Sequence, residues 1–281
     1  MKRHCSLRIG GPAELFAVPA SMEELTALYR LLLRRGIAPV VVGNGTNLLV
    51  SDAGIPGVVI HIGEALGQVT VQGETIRAEA GITLSRLALA AKEAGLAGLE
   101  FAHGIPGSLG GAVTMNAGAY GGEMKDVVVS VRYLDGAGEV RETAEPEFSY
   151  RHSRFSDAPG VILAAEVHLT PGEPEAIGER MRVLMEKRAS SQPLNLPSAG
   201  SAFKRPAAGY AAAMIDGAGL RGLRVGGAQV SEKHAGFIVN TGEATCGDVL
   251  RLMEKIQKAV AERYQVTLEP EVKILGADAP A

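Results

Sequence analysis

The sequence predicts an α+β protein, and three observations carry the prediction. Apolar residues recur at helical spacing in a few well-separated segments. Between them lie short β-branched runs bounded by turn residues, one pair of which reads as a hairpin. Thirty-six of the 281 residues are Gly, about 13% against a usual ~7%, and they cluster without a repeat period.

Taken in order, Glu14 to Val18 reads as a strand. Ser21 and Glu24 then stand at capping-box spacing ahead of Leu25, Leu28, Leu31 and Leu32, with Gly36 as a helix stop. Ala38 to Val42 is a short buried strand that runs into Gly43-Asn44-Gly45-Thr46-Asn47. Short strands follow at Gly57 to Ile62, Gln68 to Gln72 and Thr75 to Glu79. Thr83 caps a helix carrying Leu84, Leu87, Ala88 and Ala91, which Gly95 ends. Val127 to Leu134 and Val140 to Thr143 flank Asp135-Gly136 as a hairpin, and Val161 to Leu169 is a further strand. Thr170 to Pro174 suits a domain boundary. Beyond it come a polar-faced helix from Glu175 to Ser190 and a loop-rich stretch to about Gly236. An amphipathic helix spans Asp248 to Tyr264, with Val249, Leu252, Met253, Ile256 and Val260 on one face. Leu268 to Leu275 alternates as a closing strand, with Leu268, Pro270, Val272 and Ile274 on one side and Glu269, Glu271 and Lys273 on the other.

Composition narrows the classes of function. A net charge of -3, with no basic stripe, gives nucleic acid no electrostatic footing. No apolar run approaches a membrane span, Trp is absent, and the first twenty residues lack a signal-peptide pattern. Two cysteines, Cys5 and Cys246, are too few for a disulfide framework, which fits a reducing, cytoplasmic location. The six histidines and two cysteines show no metal-ligand spacing, so no metal is expected.

Two glycine-rich stretches point to chemistry. Gly43 to Asn47 follows a strand directly, so its amides can converge on an anion, and it equally suits a plain polar turn. It is not the dinucleotide fingerprint, because there is no G-x-G-x-x-G and Leu48-Leu49-Val50 reads as strand. The second stretch, His103 to Ala112 leading on to Met115 to Gly122, holds seven glycines between 104 and 122 and almost no charge. Ile, Leu, Val and Met are interspersed, so it is no flexible linker. Backbone this bare suits a flat or diphosphate-bearing ligand, or tight packing of elements.

Several phrases in register resemble the UDP-N-acetylenolpyruvoylglucosamine reductase (UDP-N-acetylmuramate dehydrogenase) family. They are Ile9-Gly10-Gly11-Pro12-Ala13, Gly43 to Asn47, Gly104-Ile105-Pro106-Gly107-Ser108 with Gly110-Gly111, and Asn116-Ala117-Gly118. Tyr150-Arg151, Gly200-Ser201-Ala202-Phe203, Lys233-His234-Ala235-Gly236-Phe237 and Glu271-Val272 complete the set. The resemblance runs from about residue 4 to 276 and is similar to the shorter, type II subclass. It departs at Cys5-Ser6, where the family often shows two Thr or Ser residues, a minor change in a turn beside the cofactor.

The resemblance implies a vanillyl-alcohol-oxidase-like (PCMH-type) FAD-binding fold with a C-terminal α+β substrate domain. The implied division is 1–66 and 67–172 for two FAD-binding subdomains and 173–281 for the substrate domain. It implies non-covalent FAD against Gly43, Asn44, Gly45, Thr46 and Asn47, against Gly104, Ile105, Pro106, Gly107, Ser108, Gly110 and Gly111, and against Asn116 and Gly118. The implied activity is NADPH-dependent reduction of UDP-N-acetylglucosamine enolpyruvate for peptidoglycan precursor synthesis, by a monomer. Ser201 matches the proton donor, and Arg151 with Glu271 the pair that stabilises the developing enolate. An Arg fork suits a carboxylate, whereas Glu271 there fits a protonated carboxyl or one orienting a cation or water. Tyr150, Lys204, Arg205 and Lys233 are the substrate-binding candidates, and His234 is read as structural. On the residues alone, Ser201 suits a turn cap, Arg151 a surface cation and Glu271 a solvated strand face. Two other readings stand beside the leading one: another FAD-dependent oxidase or dehydrogenase of the same fold, and a catalytically inactive flavin-binding protein.

Overall fold

The computed structural model describes residues 1–276. The chain divides into two compact units, and it enters each more than once. The larger comprises Phe16–Asn44 and Val58–Arg188, and the smaller Met1–Leu15, Gly45–Gly57 and Ala189–Ala281.

The larger unit is built on a five-stranded antiparallel sheet. Its order is Val140–Thr143, Val128–Leu134, Val161–His168, Thr75–Glu79, Val69–Gln72. Val161–His168 lies third of five and is buried almost throughout, as a strand covered on both faces must be. The predicted hairpin forms around Asp135, whose carboxylate accepts the amides of Ala137 and Glu139 at 2.9 Å each. Val40–Val42 pairs in parallel with Val59, Ile60 and His61. Helix α1, Met22–Arg34, starts at Ser21, whose hydroxyl accepts the Glu24 amide, and turns Leu25, Tyr29 and Leu32 inward. Helix α2, Leu84–Glu93, is capped by Thr83 and buries Leu84, Leu87, Ala88 and Ala91. Each large apolar side chain so buried stabilises the unit by roughly 1.5–3 kcal/mol.

The short helix α3, Leu109–Thr114, rises straight out of the second glycine-rich stretch and buries Leu109, Ala112 and Val113. Helix α4, Pro174–Ser191, follows the predicted boundary at Thr170 to Pro174. Through Arg188 it belongs to the larger unit, because Ile177 and Met181 insert into that unit's core.

The smaller unit has a four-stranded antiparallel sheet in the order Ser198–Ser201, Phe237–Asn240, Ala228–Val230, Arg224–Val225. Helix α5, Ala211–Gly217, and helix α6, Cys246–Tyr264, complete it. Helix α6 begins two residues before the predicted Asp248. Thr245 is its N-cap, and Asp248 closes a capping box by accepting the Thr245 amide at 3.1 Å. Asp52 adds a second cap, accepting the amides of Cys246 at 2.8 Å and Gly247 at 3.2 Å.

The predicted closing strand is shorter than its alternation suggested. Only Lys273–Leu275 is strand, pairing in parallel with Leu48–Val50. Upstream, Pro270 has no amide to give a ladder, and the segment bridges Phe203 irregularly instead. Leu268 and Val272 are buried as predicted, but Pro270 is exposed.

Candidate active site

In the larger unit the two glycine-rich stretches meet. A Cβ added to Gly43 would lie 2.3 Å from the Ser108 Oγ, so a side chain at 43 would displace that hydroxyl at the start of α3. Ser108 is buried and is the N-cap of α3, yet its hydroxyl makes no capping bond. The amides of Leu109 and Gly110 donate to the carbonyls of Ile82 and Ala80, at 2.9 and 2.8 Å. Those of Ser108 and Gly111 have no backbone acceptor among the described residues. The glycines are also needed for packing. Gly110 abuts Ala80, and Gly104 faces the Met185 Sδ at 3.0 Å and the Arg188 Cδ at 3.3 Å from its imagined Cβ. Burial pushes the half-buried Arg188 guanidinium below the usual arginine range, with Tyr120 acting in the opposite direction.

The first loop continues into the smaller unit. Gly45 has φ +62°, and a Cβ there would sit 2.1 Å from the His4 carbonyl oxygen. Its own carbonyl accepts the Ser6 amide at 3.0 Å. Asn47 is bound into the fold: its Nδ2 donates to the Glu271 carbonyl at 3.0 Å, and its carbonyl accepts the Lys273 amide at 2.9 Å. No residue of Gly43 to Asn47 or of Gly104 to Gly111 carries a charge. Uncharged loops pared to backbone, with uncommitted amides at Ser108 and Gly111, fit a diphosphate-bearing cofactor such as FAD.

Asn116 and Gly118 are used by the protein itself. Asn116 is fully buried, with φ +43°. Its Nδ2 donates to the Ser149 carbonyl at 2.9 Å and to Glu123 Oε2 at 3.1 Å, and its Oδ1 accepts the Lys125 amide at 2.9 Å. Gly118 sits in a tight two-residue pairing with Glu123, where a Cβ would meet the Gly122 carbonyl at 2.6 Å. Hydrogen bonding to the Lys125 ammonium holds the Glu123 carboxyl below its ordinary range against a partial burial penalty, aided by Asn116 and Arg151.

Tyr150 and Arg151 form the tip of a two-residue turn between Ser149 and His152, which bond to each other in both directions. Arg151 has φ +55°, a left-handed conformation that costs a side-chain-bearing residue about 1 kcal/mol. Its Nη2 donates to the Gly118 carbonyl at 3.3 Å, and its guanidinium lies 5.1 Å from the Tyr150 ring centre.

The smaller unit brings Ser201 and Glu271 onto neighbouring segments. Ser201 ends the Ser198–Ser201 strand opposite Phe237, half-exposed, after a left-handed Gly200. The Glu271 amide donates to the carbonyl of Ala202, the next residue after Ser201, at 2.9 Å. Among the proposed substrate contacts, Lys204 pairs with Glu269 at 3.2 Å and Arg205 lies 3.9 Å over the Tyr210 ring. The Lys233 Nζ donates to the Ala189 carbonyl at 2.6 Å. His234 accepts the Gly236 amide at Nδ1 and stacks edge-on against Phe237, and burial pushes its pKa down. Ser153 and Ser156, whose hydroxyls donate to the distant Thr114 carbonyl, and Glu123, which accepts from the Asn116 side chain, carried no sequence signal.

Residues 13–144 match the family described as FAD binding domain, and residues 192–275 match UDP-N-acetylenolpyruvoylglucosamine reductase, C-terminal domain. The UDP-N-acetylenolpyruvoylglucosamine reductase of Caldanaerobacter subterraneus subsp. tengcongensis is 51% identical over 278 residues, 98% of this chain and 92% of the relative. The protein of that name from Alkaliphilus oremlandii is 48% identical over 280 residues, 99% of this chain and 92% of the relative. The chain belongs to the UDP-N-acetylenolpyruvoylglucosamine reductase family. The family's crystal structure from Thermus caldophilus superposes with a TM-score of 0.82 at 38% identity, covering 98% of this chain and 96% of that one. The FAD-binding fold with a C-terminal α+β domain, expected from the family phrases, is thereby shown.

Among the described residues, no group of three or more His, Cys, Asp or Glu side chains could hold a metal ion, and no helix is long and apolar enough to cross a membrane.

Proposed function

We propose that this chain reduces UDP-N-acetylglucosamine enolpyruvate to UDP-N-acetylmuramate, with NADPH as reductant and non-covalent FAD as carrier, in peptidoglycan precursor synthesis in the cytoplasm. The observation that carries the reading is the near-full-length identity to reductases of that name. The close approach of Gly43 to Ser108 supports the cofactor half of it.

FAD, when bound, supplies hydride transfer from NADPH to the vinyl group of the substrate. Gly43 to Asn47 and Gly104 to Gly111 would hold its diphosphate and flavin through backbone, which needs no charged side chain. Arg151 pairs with the substrate carboxylate, on which negative charge builds, through its planar guanidinium fork. Glu271, anchored through its amide on the Ala202 carbonyl, orients a cation or water at the substrate. The Ser201 Oγ–H gives its proton to the carbon beside the carboxylate, completing the lactyl ether. A serine hydroxyl is a weak acid, so the oxygen it leaves requires preorganised donors nearby. Tyr150, Lys204, Arg205 and Lys233 contact the sugar nucleotide at the cost of exchanging the partners they hold now.

The test is product chemistry. Purified, flavin-loaded protein should turn over NADPH beyond the single equivalent that bleaches its flavin only when the enolpyruvyl sugar nucleotide is present, and mass spectrometry should find that nucleotide gaining two hydrogens. NADPH consumption that proceeds with oxygen and ignores the sugar nucleotide would overturn the reading in favour of an oxidase.

A further inference from the structure

Arg151 is held in its left-handed turn from both sides by one short stretch of chain, the C-terminal end of α3. On the entering side, the Asn116 Nδ2 donates to the Ser149 carbonyl at 2.9 Å, two residues before Arg151. On the leaving side, the hydroxyls of Ser153 and Ser156 both donate to the Thr114 carbonyl, at 2.8 and 2.7 Å. Ser153 and Asn116 are both fully buried. The guanidinium itself donates to the Gly118 carbonyl, two residues beyond Asn116.

Asn116 spends its remaining capacity on keeping itself in place. Its second Nδ2 hydrogen goes to Glu123, its Oδ1 takes the Lys125 amide, and Glu123 pairs with the Lys125 ammonium at 2.7 Å. The side chain therefore points into protein, with two donors and an acceptor engaged. Helix α3 starts at Ser108, where it meets Gly43, and ends at Thr114, where it grips the turn. Six residues at 1.5 Å rise span about 9 Å, so loop and turn are two ends of one rigid piece.

We infer that Asn116 is a positioning residue for Arg151, clamping the Ser149–His152 turn to the end of α3. The role of Arg151 rests on the function proposed above; the clamp does not. It binds neither cofactor nor substrate. Without it the left-handed turn loses one of its two braces, and the backbone strain at Arg151 is free to relax.

The test uses purified, flavin-loaded Asn116→Asp. This change keeps volume, the acceptor for Lys125 and tolerance of positive φ, and it replaces both donors with a carboxylate facing Glu123 and the Ser149 carbonyl. Trypsin cleavage after Arg151, followed as the fragment ending there, should speed up by about tenfold. Flavin content and bleaching by NADPH should stay as in the wild type, while reoxidation by the enolpyruvyl sugar nucleotide should fall about tenfold. Arg151→Lys should then cost less in the Asn116→Asp background than alone, since both changes disturb one arrangement. Should Asn116→Asp misfold, the double variant Ser153→Ala with Ser156→Ala removes the other brace and makes the same comparison. Unchanged cleavage at Arg151 in both variants overturns the clamp, as does loss of flavin with cleavage unchanged, which would return Asn116 to the cofactor wall. If the wild type itself is not reoxidised by the sugar nucleotide, the proposed function fails, and the cleavage rates still decide the clamp.

Discussion

Replacing Gly45 with Ala puts the glycine loop's role into numbers. The residue sits at φ +62°, where an alanine pays about 1 kcal/mol. Its new Cβ would stand 2.1 Å from the His4 carbonyl oxygen, against roughly 3.3 Å for a close C···O contact. Backbone on both sides leaves no side chain to swing away, so the two loop segments must part by about 1.2 Å, enough to open the 3.0 Å bond from the Ser6 amide to the Gly45 carbonyl. That bond is worth about 1 kcal/mol, and residual compression adds of the same order. The sum, about 2–3 kcal/mol, corresponds to about 30- to 140-fold weaker FAD binding if the displaced loop is the cofactor's seat. Quenching of flavin fluorescence on titrating the apoprotein measures it, with apoprotein Tm recorded alongside. Gly73→Ala is the control, because its φ is +60° with nothing within 4 Å of the added carbon. FAD affinity within threefold of wild type for Gly45→Ala would mean that this loop does not seat the cofactor.

Asp248→Ala should lower stability by about 2–3 kcal/mol, because the Thr245 and Gly227 amides lose a nearly buried acceptor and Arg251 its partner. Differential scanning calorimetry should show a Tm lower by about 6–10 °C. The Thr245 amide first, then those of Gly227 and the Arg251 pair, hold the Asp248 carboxyl below its ordinary range. Its contribution is therefore complete above the unfolded value near ~3.9 and is lost as pH falls through the lower folded one, so Asp248→Asn should flatten that acid limb. His234 has its pKa pushed down by burial, so the unfolded chain takes up the proton first as pH drops below about 6.5. Wild-type Tm should accordingly fall between pH 7 and pH 5 more than that of His234→Gln. Arg151→Lys should keep NADPH bleaching intact and cut reoxidation by the sugar nucleotide about 10- to 100-fold, because a lysine cannot span a carboxylate bidentately. An equal loss in both half-reactions would place Arg151 elsewhere.

Much of the fold was legible because its signals are local. The caps at Ser21 and Thr83, the buried face of α6 and the strand of consecutive apolar residues at Val161–His168 all follow from spacing within one element. Helix α6 starts earlier than its apolar period because a polar first turn is fixed by Thr245 and by Asp52, 194 residues away, which no window reveals. The closing strand was over-read because alternation persists around Pro270, although a residue without an amide cannot extend a ladder. The division into two units, with the chain crossing between them repeatedly, depends on contacts distant in sequence. At the candidate site, the glycine-rich loops announced themselves by composition, and the order of the phrases named the family. The physical work of Asn116 was hidden. Its three hydrogen bonds are visible only once Ser149, Glu123 and Lys125 are brought around it.

If backbone loops hold the flavin while Ser201 completes the reduction of the sugar nucleotide, the two half-reactions of Ser201→Ala come apart. Mixed anaerobically with NADPH, this variant should lose its yellow colour at the wild-type rate. On addition of the enolpyruvyl sugar nucleotide its colour should return at least about a hundredfold more slowly than the wild type's, the scale expected for removing a positioned acid. Colour returning at the wild-type rate, or equal slowing of both steps, would show that Ser201 is not the proton donor.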